Sequence, residues 1–547
     1  MQRKTSIKNT DIIFDETSRN CSLTEILTKR FEGVSILEKT LDDLYDPYLM
    51  KDMDRAVERI HRAKEHDEKV VVFWDYDVDG VTSTSLLVHL FSKLGMKVSY
   101  RLPHRVHDGY GLKKYFVDEL AGLGVTLIVT VDCGSRDREI VTYAKELWVD
   151  IIVTDHHHVP EDMPDDAQAF LNPNRPDCSY PDKCLSGAGV AYKLVMAVAK
   201  KYFSYQEYLK YIEESIDIAA IWTVADCMLL TGENRIIVTL WLRQLKKSRS
   251  NGIRQMIEDK INDDLDADIF WFLIGPRLNA AGRMDTPYKA VNLILNNSET
   301  VHDTLRDIEN LNTLRKSKTL YHTESALENI NPEDNIIFYH SSDIEHGIIG
   351  IVAGRLTEKY FKPSIVLIDE WEKYVASCRS PDYFSLIEIL DTYQEMFIAY
   401  GWHRNAAGFS ISKEKFPEFQ KKILADVNAQ DFSEYKKELV IDKCVRLDEI
   451  WFRLLEEQNV FKPFWMGNTK PLYLIEDFSP EKIAFLWKWR EHLKFENRYG
   501  FKIFGFSLWE YYEILRKNWA LGLVVDIAED NFWGQRGIML KVIDIIV

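Results

Sequence analysis

Apolar runs alternate with helically spaced apolar positions along the first half of the chain, which predicts an α/β fold. Val70-Val-Val-Phe-Trp74 is a short, mostly β-branched run, typical of a strand buried on both faces. Helical spacing follows over residues 84–94, and further strands are predicted at 98–102, 125–131 and 151–154. Repeated strand–helix units of this kind build parallel sheets. We therefore expect a parallel-sheet domain, preceded by a helical lead-in, over residues 1–297.

The second half of the chain predicts three further parts. Residues 298–332 are polar and charged with apolar residues at helical spacing, which indicates a long connecting helix. Strand-like runs at 336–339 and 364–368 predict a second α/β domain over 333–430. Short β-type runs and turns then continue to Val547, which suits a small β-barrel over 431–547.

Composition restricts the classes of function. The formal charge is 69 minus 86, or −17, so a diffuse polybasic surface is excluded and a polyanion must bind in a local cleft. The seven cysteines include no Cys-x-x-Cys pair, which argues against a disulfide scaffold and a thiolate zinc site. The chain has no uncharged apolar stretch of about 18 residues. We expect a protein of the reducing cytoplasm, without a membrane association.

Acids and histidines follow three of the predicted strands. Asp75, Asp77 and Asp79 follow the first, Asp132 follows another, and Asp155-His-His-His158 follows a third. The carboxyl ends of parallel strands meet at one edge of a sheet, where ligands bind. Crowded carboxylates repel one another unless divalent cations neutralise them. Oxygen and imidazole ligands favour Mg²⁺ or Mn²⁺, and two ions about 3.5–4 Å apart suit in-line phosphoester hydrolysis.

Each of these pieces also has a purely structural explanation. A turn accounts for Asp79-Gly80, a helix cap accounts for Asp132, and a histidine triplet is common on solvated loops. The joint pattern at one sheet edge favours a metal centre over these explanations. A metal-free α/β protein with an acidic rim is the alternative that remains.

Longer motifs carry a resemblance to a known family. Asp75-Tyr-Asp-Val-Asp-Gly80, Val131-Asp-Cys-Gly134, Asp155-His-His157 and Val224-Ala-Asp226 resemble the successive motifs of the DHH phosphoesterase superfamily. Within it, the chain is similar to the RecJ family of single-strand-specific exonucleases at Leu185–Lys193, Gly232–Arg235, Gly275–Arg283 and His346–Ala353. The resemblance implies a DHH domain, a DHH-associated domain and a C-terminal oligonucleotide-binding (OB) barrel.

The resemblance also implies roles for individual residues. The metal ligands would be Asp75, Asp77, Asp132, His156 and Asp226, with His157 near the scissile phosphate. Asp79 is a ligand or supports one, and its spacing leaves both roles open.

Substrate contacts follow from the same resemblance. Phosphate-binding positions match Arg105, Arg277, Ser377 and Arg379, and the motif around Arg277 adds Asn279 and Arg283. Guanidinium groups bind phosphate oxygens bidentately, so these positions are chemically suitable. Gly401-Trp-His-Arg-Asn-Ala-Ala-Gly408 resembles the glycine-rich motif of the DHH-associated domain and retains His403. It departs from the family pattern at Trp402, Arg404 and Asn405, and Trp402 suits base stacking and domain packing equally.

The C-terminal module has the composition of a single-strand-binding barrel. Residues 481–520 contain 8 Lys and Arg against 5 Asp and Glu, interleaved with aromatics. Aromatic stacking combined with a basic groove holds single strands. Phe464 and Trp465 follow a Lys-Pro motif similar to one that precedes the barrel in RecJ proteins, so we expect both to contact substrate. A packed aromatic core is the alternative explanation.

These observations predict a Mn²⁺- or Mg²⁺-dependent, single-stranded-DNA-specific 5′→3′ exonuclease that releases nucleoside 5′-monophosphates. The resemblance implies DNA repair and recombination, with a single-stranded-DNA-binding protein and a helicase as partners, and we expect a cytoplasmic monomer. One alternative is a phosphodiesterase for short oligoribonucleotides or cyclic dinucleotides, against which the module at 438–547 argues. Another is a non-catalytic strand-binding subunit, against which the intact acids and His156 argue.

Overall fold

The chain folds into two compact units. The computed structural model describes residues 1–31, 39–74, 78–103, 111–260, 265–296, 298, 300–331, 333–402, 404–486, 491–518, 520–530 and 537–547, without the side chains of residues 246, 260 and 402. The parallel-sheet unit comprises residues 34–312 and 461–469, and the terminal unit comprises 1–33, 313–460 and 470–547. Within the described ranges, no helix has the length and apolar character needed to cross a membrane.

The first 31 residues form a β-hairpin and a short helix in the terminal unit. β1 (Gln2–Thr5) pairs antiparallel with β2 (Asp11–Phe14), and β2 also pairs in parallel with a strand at Glu438–Val440. α1 (Leu23–Thr28) begins with a capping box at Ser22. This differs from the predicted helical lead-in to the first domain. All four residues of β1 are exposed and polar or charged, so its strand conformation depends on pairing with β2, which no local pattern reveals.

The parallel sheet that the sequence predicts forms the centre of the parallel-sheet unit, and it has a fifth strand, Ala169–Leu171, beyond the four predicted. Its strands are β3 (Lys69–Trp74), β4 (Lys97–Arg101), β5 (Val125–Val131), β6 (Asp150–Thr154) and β7 (Ala169–Leu171). The spatial order is β4-β3-β5-β6-β7. The chain therefore changes direction across the sheet between β3 and β5. Ligands of open parallel sheets bind outside the strand ends at such a switch point.

Both faces of this sheet are buried, which explains the continuous apolar run of β3. Val70, Val72 and Trp74 belong to one buried cluster. Val71 and Phe73 belong to another. The helices of the unit are α2 (Met53–Glu65), α3 (Val78–Lys93), α4 (Lys114–Gly122), α5 (Arg138–Glu146), α6 (Gly187–Tyr202), α7 (Tyr205–Ala225), α8 (Gly232–Gln244), α9 (Asn251–Ile257), α10 (Gly275–Met284) and α11 (Tyr288–Leu295).

Residues 461–469 pack in the parallel-sheet unit although they lie within the predicted C-terminal domain. The Arg235 guanidinium donates hydrogen bonds to the carbonyls of Phe461 at 2.9 Å, Lys462 at 3.0 Å and Pro463 at 3.2 Å. The Leu230 amide donates to the Met466 carbonyl at 2.8 Å. These nine residues of the predicted domain 431–547 therefore pack with the parallel-sheet unit.

This placement contradicts the prediction that Phe464 contacts substrate. Phe464 is only 5% exposed, and its amide donates to Asp266 Oδ1 at 2.9 Å. Trp465 packs beside the same core, with its ring centroid 5.4 Å from that of Trp271. Burial leaves Phe464 no accessible face on which a base can stack, whereas Trp465 is half-buried and its substrate contact stays a prediction.

A long helix and a second, mixed sheet follow. α12 occupies Val301–Asn329, as the helical spacing predicts. The second sheet has the order β11-β12-β10-β9-β8. Its strands are β8 (Ile337–Ser341), β9 (Ser364–Asp369), β10 (Lys373–Arg379), β11 (Phe397–Trp402) and β12 (Ala406–Ser412), accompanied by α13 (Ile349–Tyr360), α14 (Leu386–Asp391) and α15 (Phe416–Asn428).

The predicted C-terminal barrel is a seven-stranded, mostly antiparallel sheet of order β14-β15-β19-β20-β18-β17-β16. The remaining elements are β13 (Glu438–Val440), β14 (Lys443–Val445), α16 (Phe452–Asn459), β15 (Tyr473–Phe478), β16 (Lys482–Leu486), β17 (His492–Glu496), β18 (Lys502–Gly505), α17 (Tyr512–Lys517), β19 (Leu521–Asp530) and β20 (Gly537–Ile546). β13 joins β1 and β2 in a separate sheet, which attaches the N-terminus to this domain.

Candidate metal centre

Asp132 follows β5 in a tight, strained turn. Its backbone has φ +58°, a left-handed conformation that costs a non-glycine residue of order 1–3 kcal/mol. The Asp132 amide donates to the Thr154 carbonyl of β6 at 2.9 Å, which holds the residue in place. Gly134 completes the turn at φ +112°, where a Cβ would lie 2.8 Å from Thr130 Oγ1. The turn thus directs the Asp132 carboxylate to the switch point between β3 and β5.

Asp155 organises the two histidines that follow β6. One carboxylate oxygen accepts from the amides of His156 at 2.8 Å and His157 at 3.1 Å, and from His157 Nδ1 at 2.7 Å. The other oxygen accepts from the Ser135 amide at 3.0 Å. Burial by itself raises the pKa of Asp155, but the hydrogen bonds from His157 and Ser135 and the nearby imidazoles more than offset it, so the pKa lies well below its usual range. An ionised carboxylate only accepts hydrogen bonds, so His157 donates to Asp155 through Nδ1. Sequence reasoning did not assign Asp155 a role of its own.

His156 lies at the centre of the cluster. Its Nε2 is 3.3 Å from Asp132 Oδ1, 3.7 Å from Asp79 Oδ2 and 3.9 Å from Asp226 Oδ2. Two overlapping sets of donor atoms, each within 4.8 Å of one another, comprise Asp132 with both histidines and Asp79 with His156 and Asp226. Three segments distant in sequence thus bring their carboxylates to one imidazole. His158, in contrast, is exposed.

Asp79 connects the cluster to the start of α6. Its carboxylate accepts from the Gly187 amide at 2.8 Å, the Ala188 amide at 2.6 Å and Ser83 Oγ at 3.1 Å. Amides of a helix N-terminus are good donors to a carboxylate, so this contact fixes the position of the Asp79 side chain. Asp79 is therefore both anchored by α6 and within the group of donor atoms around His156.

Gly187 is required by the close approach of α6 to the acids. A Cβ on this residue would lie 2.8 Å from both Asp132 Oδ1 and Asp79 Oδ2. Contacts below 3.0 Å force a displacement, because real Cβ atoms essentially never show them. The motif Leu185–Lys193 contained this glycine, but only the tertiary contact shows which atoms it accommodates.

Asp226 ends α7 beside the start of α10. It is the C-cap of α7, and Cys227 follows at φ +55°. Gly275, the first residue of α10, packs against Ala225, where a Cβ would lie 3.3 Å from the Ala225 Cβ. Asn234 donates to the carbonyls of Cys184 at 2.6 Å and Leu229 at 3.1 Å, which joins the loop after Asp226 to the loop before α6.

The donor set fits Mg²⁺ or Mn²⁺. Carboxylate oxygens with an imidazole nitrogen are the ligands that suit these cations, and the described donors are of those two types. The predicted ligands Asp75 and Asp77 lie outside the described residues, as does Arg105. Asp79, Asp132, His156 and Asp226 are the predicted ligands that the structure brings together.

The three predicted substrate residues of α10 do not share one face. Arg277 donates to the Leu273 carbonyl at 3.0 Å and lies 3.4 Å from Glu309. Asn279 and Arg283 are four residues apart and therefore lie on one face of α10, different from that of Arg277. Arg277 is already paired with an acid, so a substrate phosphate must compete with Glu309 for it.

Ser377 and Arg379 form a polar pair in the terminal unit. They are two residues apart on β10, and Arg379 Nη1 lies 3.4 Å from Ser377 Oγ. A Cβ on Gly350, in the first turn of α13, would lie 3.1 Å from both side chains. Burial lowers the pKa of the Arg379 guanidinium. A guanidinium and a hydroxyl beside a helix N-terminus are suited to a phosphate group.

The glycine-rich motif lies on the strands next to this polar pair. Gly401 of β11 pairs with Gly408 of β12, and Gly408 pairs with Ser377. His403 lies outside the described residues. Arg404 and Asn405, which depart from the family pattern, both bond to Asp382. These two substitutions therefore stabilise the turn of the hairpin.

Family comparisons agree with this architecture. Residues 69–229 match the DHH family N-terminal domain, 333–429 match the DHHA1 domain, and 441–544 match the RecJ OB domain. The parallel sheet and its carboxylate–imidazole cluster thus define a DHH-family protein. Two RecJ relatives are more than 30% identical to this chain, and each alignment covers more than two thirds of the relative's length. The chain therefore belongs to the RecJ family.

Individual relatives support that assignment. The single-stranded-DNA-specific exonuclease RecJ of Bacillus subtilis is 33% identical over 468 residues, which cover 83% of this chain and 58% of that protein. The RecJ of Salmonella typhimurium is 34% identical over 410 residues, 71% of each protein. A crystal structure of exonuclease RecJ bound to manganese aligns with a TM-score of 0.62 at 28% identity, covering 73% of this chain and 97% of that one. The Mn²⁺ complex of Thermus thermophilus RecJ shares the fold over 98% of this chain and 79% of that one, with a TM-score of 0.81 at 23% identity.

Proposed function

We propose that this RecJ-family chain is a single-stranded-DNA-specific 5′→3′ exonuclease that hydrolyses phosphodiester bonds with Mn²⁺ or Mg²⁺ and releases nucleoside 5′-monophosphates. The observation that carries the proposal is the convergence of Asp79, Asp132 and Asp226 on His156 at the switch point of the parallel sheet. Asp75 and Asp77 complete the proposed ligand set. Both the B. subtilis and S. typhimurium relatives carry the name single-stranded-DNA-specific exonuclease.

The chain's own residues account for binding and positioning. Asp132, His156 and Asp226 would hold the cations, and α6 fixes Asp79 beside these residues through its first amides. When bound, the cations activate water and stabilise charge on the phosphate oxygens. His157, oriented by Asp155, offers Nε2 to the reacting phosphate or its water.

Terminal recognition sets the direction of cleavage in this proposal. Ser377 and Arg379 bind the 5′-terminal phosphate, assisted by Arg105, and Arg277, Asn279, Arg283 and His403 bind the adjoining nucleotides. Recognition of the strand end, rather than of an internal position, makes the enzyme an exonuclease in this proposal. The chain acts in DNA repair and recombination as a cytoplasmic monomer, with a single-stranded-DNA-binding protein and a helicase supplying strands.

The test is digestion of matched single-stranded DNA and RNA oligomers labelled at either end, with Mn²⁺, beside a duplex and the Asp132→Ala variant. We expect the unmodified chain to release mononucleotides from the 5′ end of DNA immediately. The Asp132→Ala variant should lose this activity and still bind the strand. Cleavage confined to very short RNA would replace the proposal with a small phosphodiesterase. Strand binding without any cleavage would indicate a binding subunit.

A further inference from the structure

The terminal unit contains a cleft that the proposed reaction does not use. Its volume is about 650 Å³, within the range of small-molecule sites. It lies at the C-terminal end of α13, whereas Ser377 and Arg379 adjoin Gly350 in the first turn of that helix. Eight residues separate Gly350 from Glu358, which corresponds to about 12 Å along the helix axis. We call it the lysine–tyrosine cleft; it is lined by Lys8, Lys359, Lys362, Lys436, Lys437, Tyr360, Tyr383, Tyr435, Tyr511, Phe432 and neighbouring residues.

The charge of this cleft is opposite to that of the whole chain. Five lysines line it against three carboxylates, a local excess of two positive charges in a chain of −17. The most buried of the carboxylates, Asp544, accepts bonds from Ser6 Oγ and the Ile545 amide, both at 2.8 Å. Burial lowers the pKa of Lys8, Asp544 partly opposes this, and the charge of Lys437 lowers it further. Lys8 and Lys437 both line the cleft, and two cationic side chains favour a bound anion.

Two stacked tyrosines lie in the same cleft, and one of them is more than half exposed. The rings of Tyr383 and Tyr435 are 4.8 Å apart and only 15° from parallel. The position of the Tyr383 ring is fixed by a hydrogen bond, because its hydroxyl donates to the Phe361 carbonyl at 2.7 Å. Tyr435 is the outer ring and is 53% exposed. A further planar ring can therefore continue the stack on Tyr435.

A planar ring joined to an anion is the chemistry of a nucleotide. Base stacking on aromatic side chains combined with lysines for the phosphate is how proteins bind single strands without sequence preference. An acidic peptide would satisfy the lysines but would leave the parallel stack without a partner ring.

We propose that the lysine–tyrosine cleft binds one nucleotide unit, with its base on Tyr435 and its phosphate near Lys8 and Lys437. The bound nucleotide is a free nucleoside monophosphate or one nucleotide of a bound single strand. Occupation by a strand rests on the proposed function, whereas occupation by a free nucleotide does not.

The first test locates the contact by photocrosslinking. A 12-residue oligodeoxynucleotide with 5-iodouracil at single positions is irradiated with the full-length chain in EDTA, which prevents cleavage. The expected crosslink lies in the tryptic peptide 423–436, which contains Phe432 and Tyr435. Competition by deoxyadenosine monophosphate would identify the free nucleotide as a ligand, and persistence of the crosslink would identify the strand. Absence of this crosslink at every label position, together with no calorimetric binding of the mononucleotide, would overturn the proposal.

The second test uses two variants and a matched control. Tyr435→Ala should weaken binding of the crosslinked ligand about 5- to 100-fold, and Lys437→Gln should weaken it several-fold while reducing its salt dependence. Lys421→Gln, an equally exposed lysine on α15 that does not line the cleft, should leave binding unchanged. Equal affinities for Lys437→Gln and Lys421→Gln would refute the site even if Tyr435→Ala failed to fold. Hydrolysis of a 5′-labelled strand by the unmodified chain, measured in parallel, tests the proposed function independently.

Discussion

The substitution Gly187→Ala tests whether the close approach of α6 sets the geometry of the metal centre. An added Cβ would lie 2.8 Å from Asp132 Oδ1 and from Asp79 Oδ2, whereas ordinary contact begins at 3.4 Å. Relief therefore requires a displacement of 3.4 minus 2.8, or 0.6 Å, of the acids or of the start of α6. Functional constellations tolerate about 0.5 Å. We expect kcat/KM to fall about 100-fold and stability to fall by about 1–3 kcal/mol.

The assay for Gly187→Ala combines 5′-end-labelled strand hydrolysis, calorimetric Mn²⁺ titration and thermal unfolding. Gly189→Ala is the matched control, because its Cβ would meet the flexible end of Leu185 at 3.2 Å and no acid. The control should keep its Mn²⁺ affinity and most of its activity. Unchanged activity and Mn²⁺ affinity in Gly187→Ala, or equal losses in both variants, would refute the reasoning.

Three further predictions concern other parts of the chain. Arg379→Ala should remove most of the preference for a 5′-phosphorylated over a 5′-hydroxyl strand, measured as a ratio of KM values; an unchanged ratio would contradict its phosphate contact. Asp155→Asn should lower kcat about 10- to 100-fold with little effect on strand affinity, because His157 loses its charged partner; wild-type kcat would contradict this role. Burial, with Arg249 and Lys93, lowers the pKa of His89 to about 3. The unfolded chain therefore binds a proton below about pH 6.5 that the folded chain does not, and stability should fall by about 1 kcal/mol per unit between pH 6 and 4. His89→Phe should show a shallower decline in chemical denaturation.

Local patterns predicted the parallel sheet and part of its site because both depend on short-range order. β3 is buried on both faces, so its apolar run is continuous, and β5 begins and ends as predicted. Asp132 and His156 were expected to lie close together because every parallel strand delivers the residues after it to the same edge. Their meeting at 3.3 Å is the expected consequence of that topology.

Contacts between distant segments were not available from local patterns. The strand Gln2–Thr5 has no apolar period and exists through pairing with β2. Phe464 has the composition of a strand-binding residue, yet it is buried because Arg235 holds the backbone of its segment. A side chain's chemistry suggests what it can bind, whereas its burial depends on which distant segment packs over it.

The sequence by itself determined the fold class, the carboxylate–imidazole chemistry and the order of the domains, because these follow from residue type, periodicity and the direction of the strands. Only the tertiary structure decided how that chemistry is held. It showed that Asp155 orients His157, that Asp79 is fixed by the first amides of α6, and that Gly187 provides the space for both neighbouring acids. Each of these depends on sub-ångström packing between elements far apart in the chain, which one-dimensional patterns do not encode.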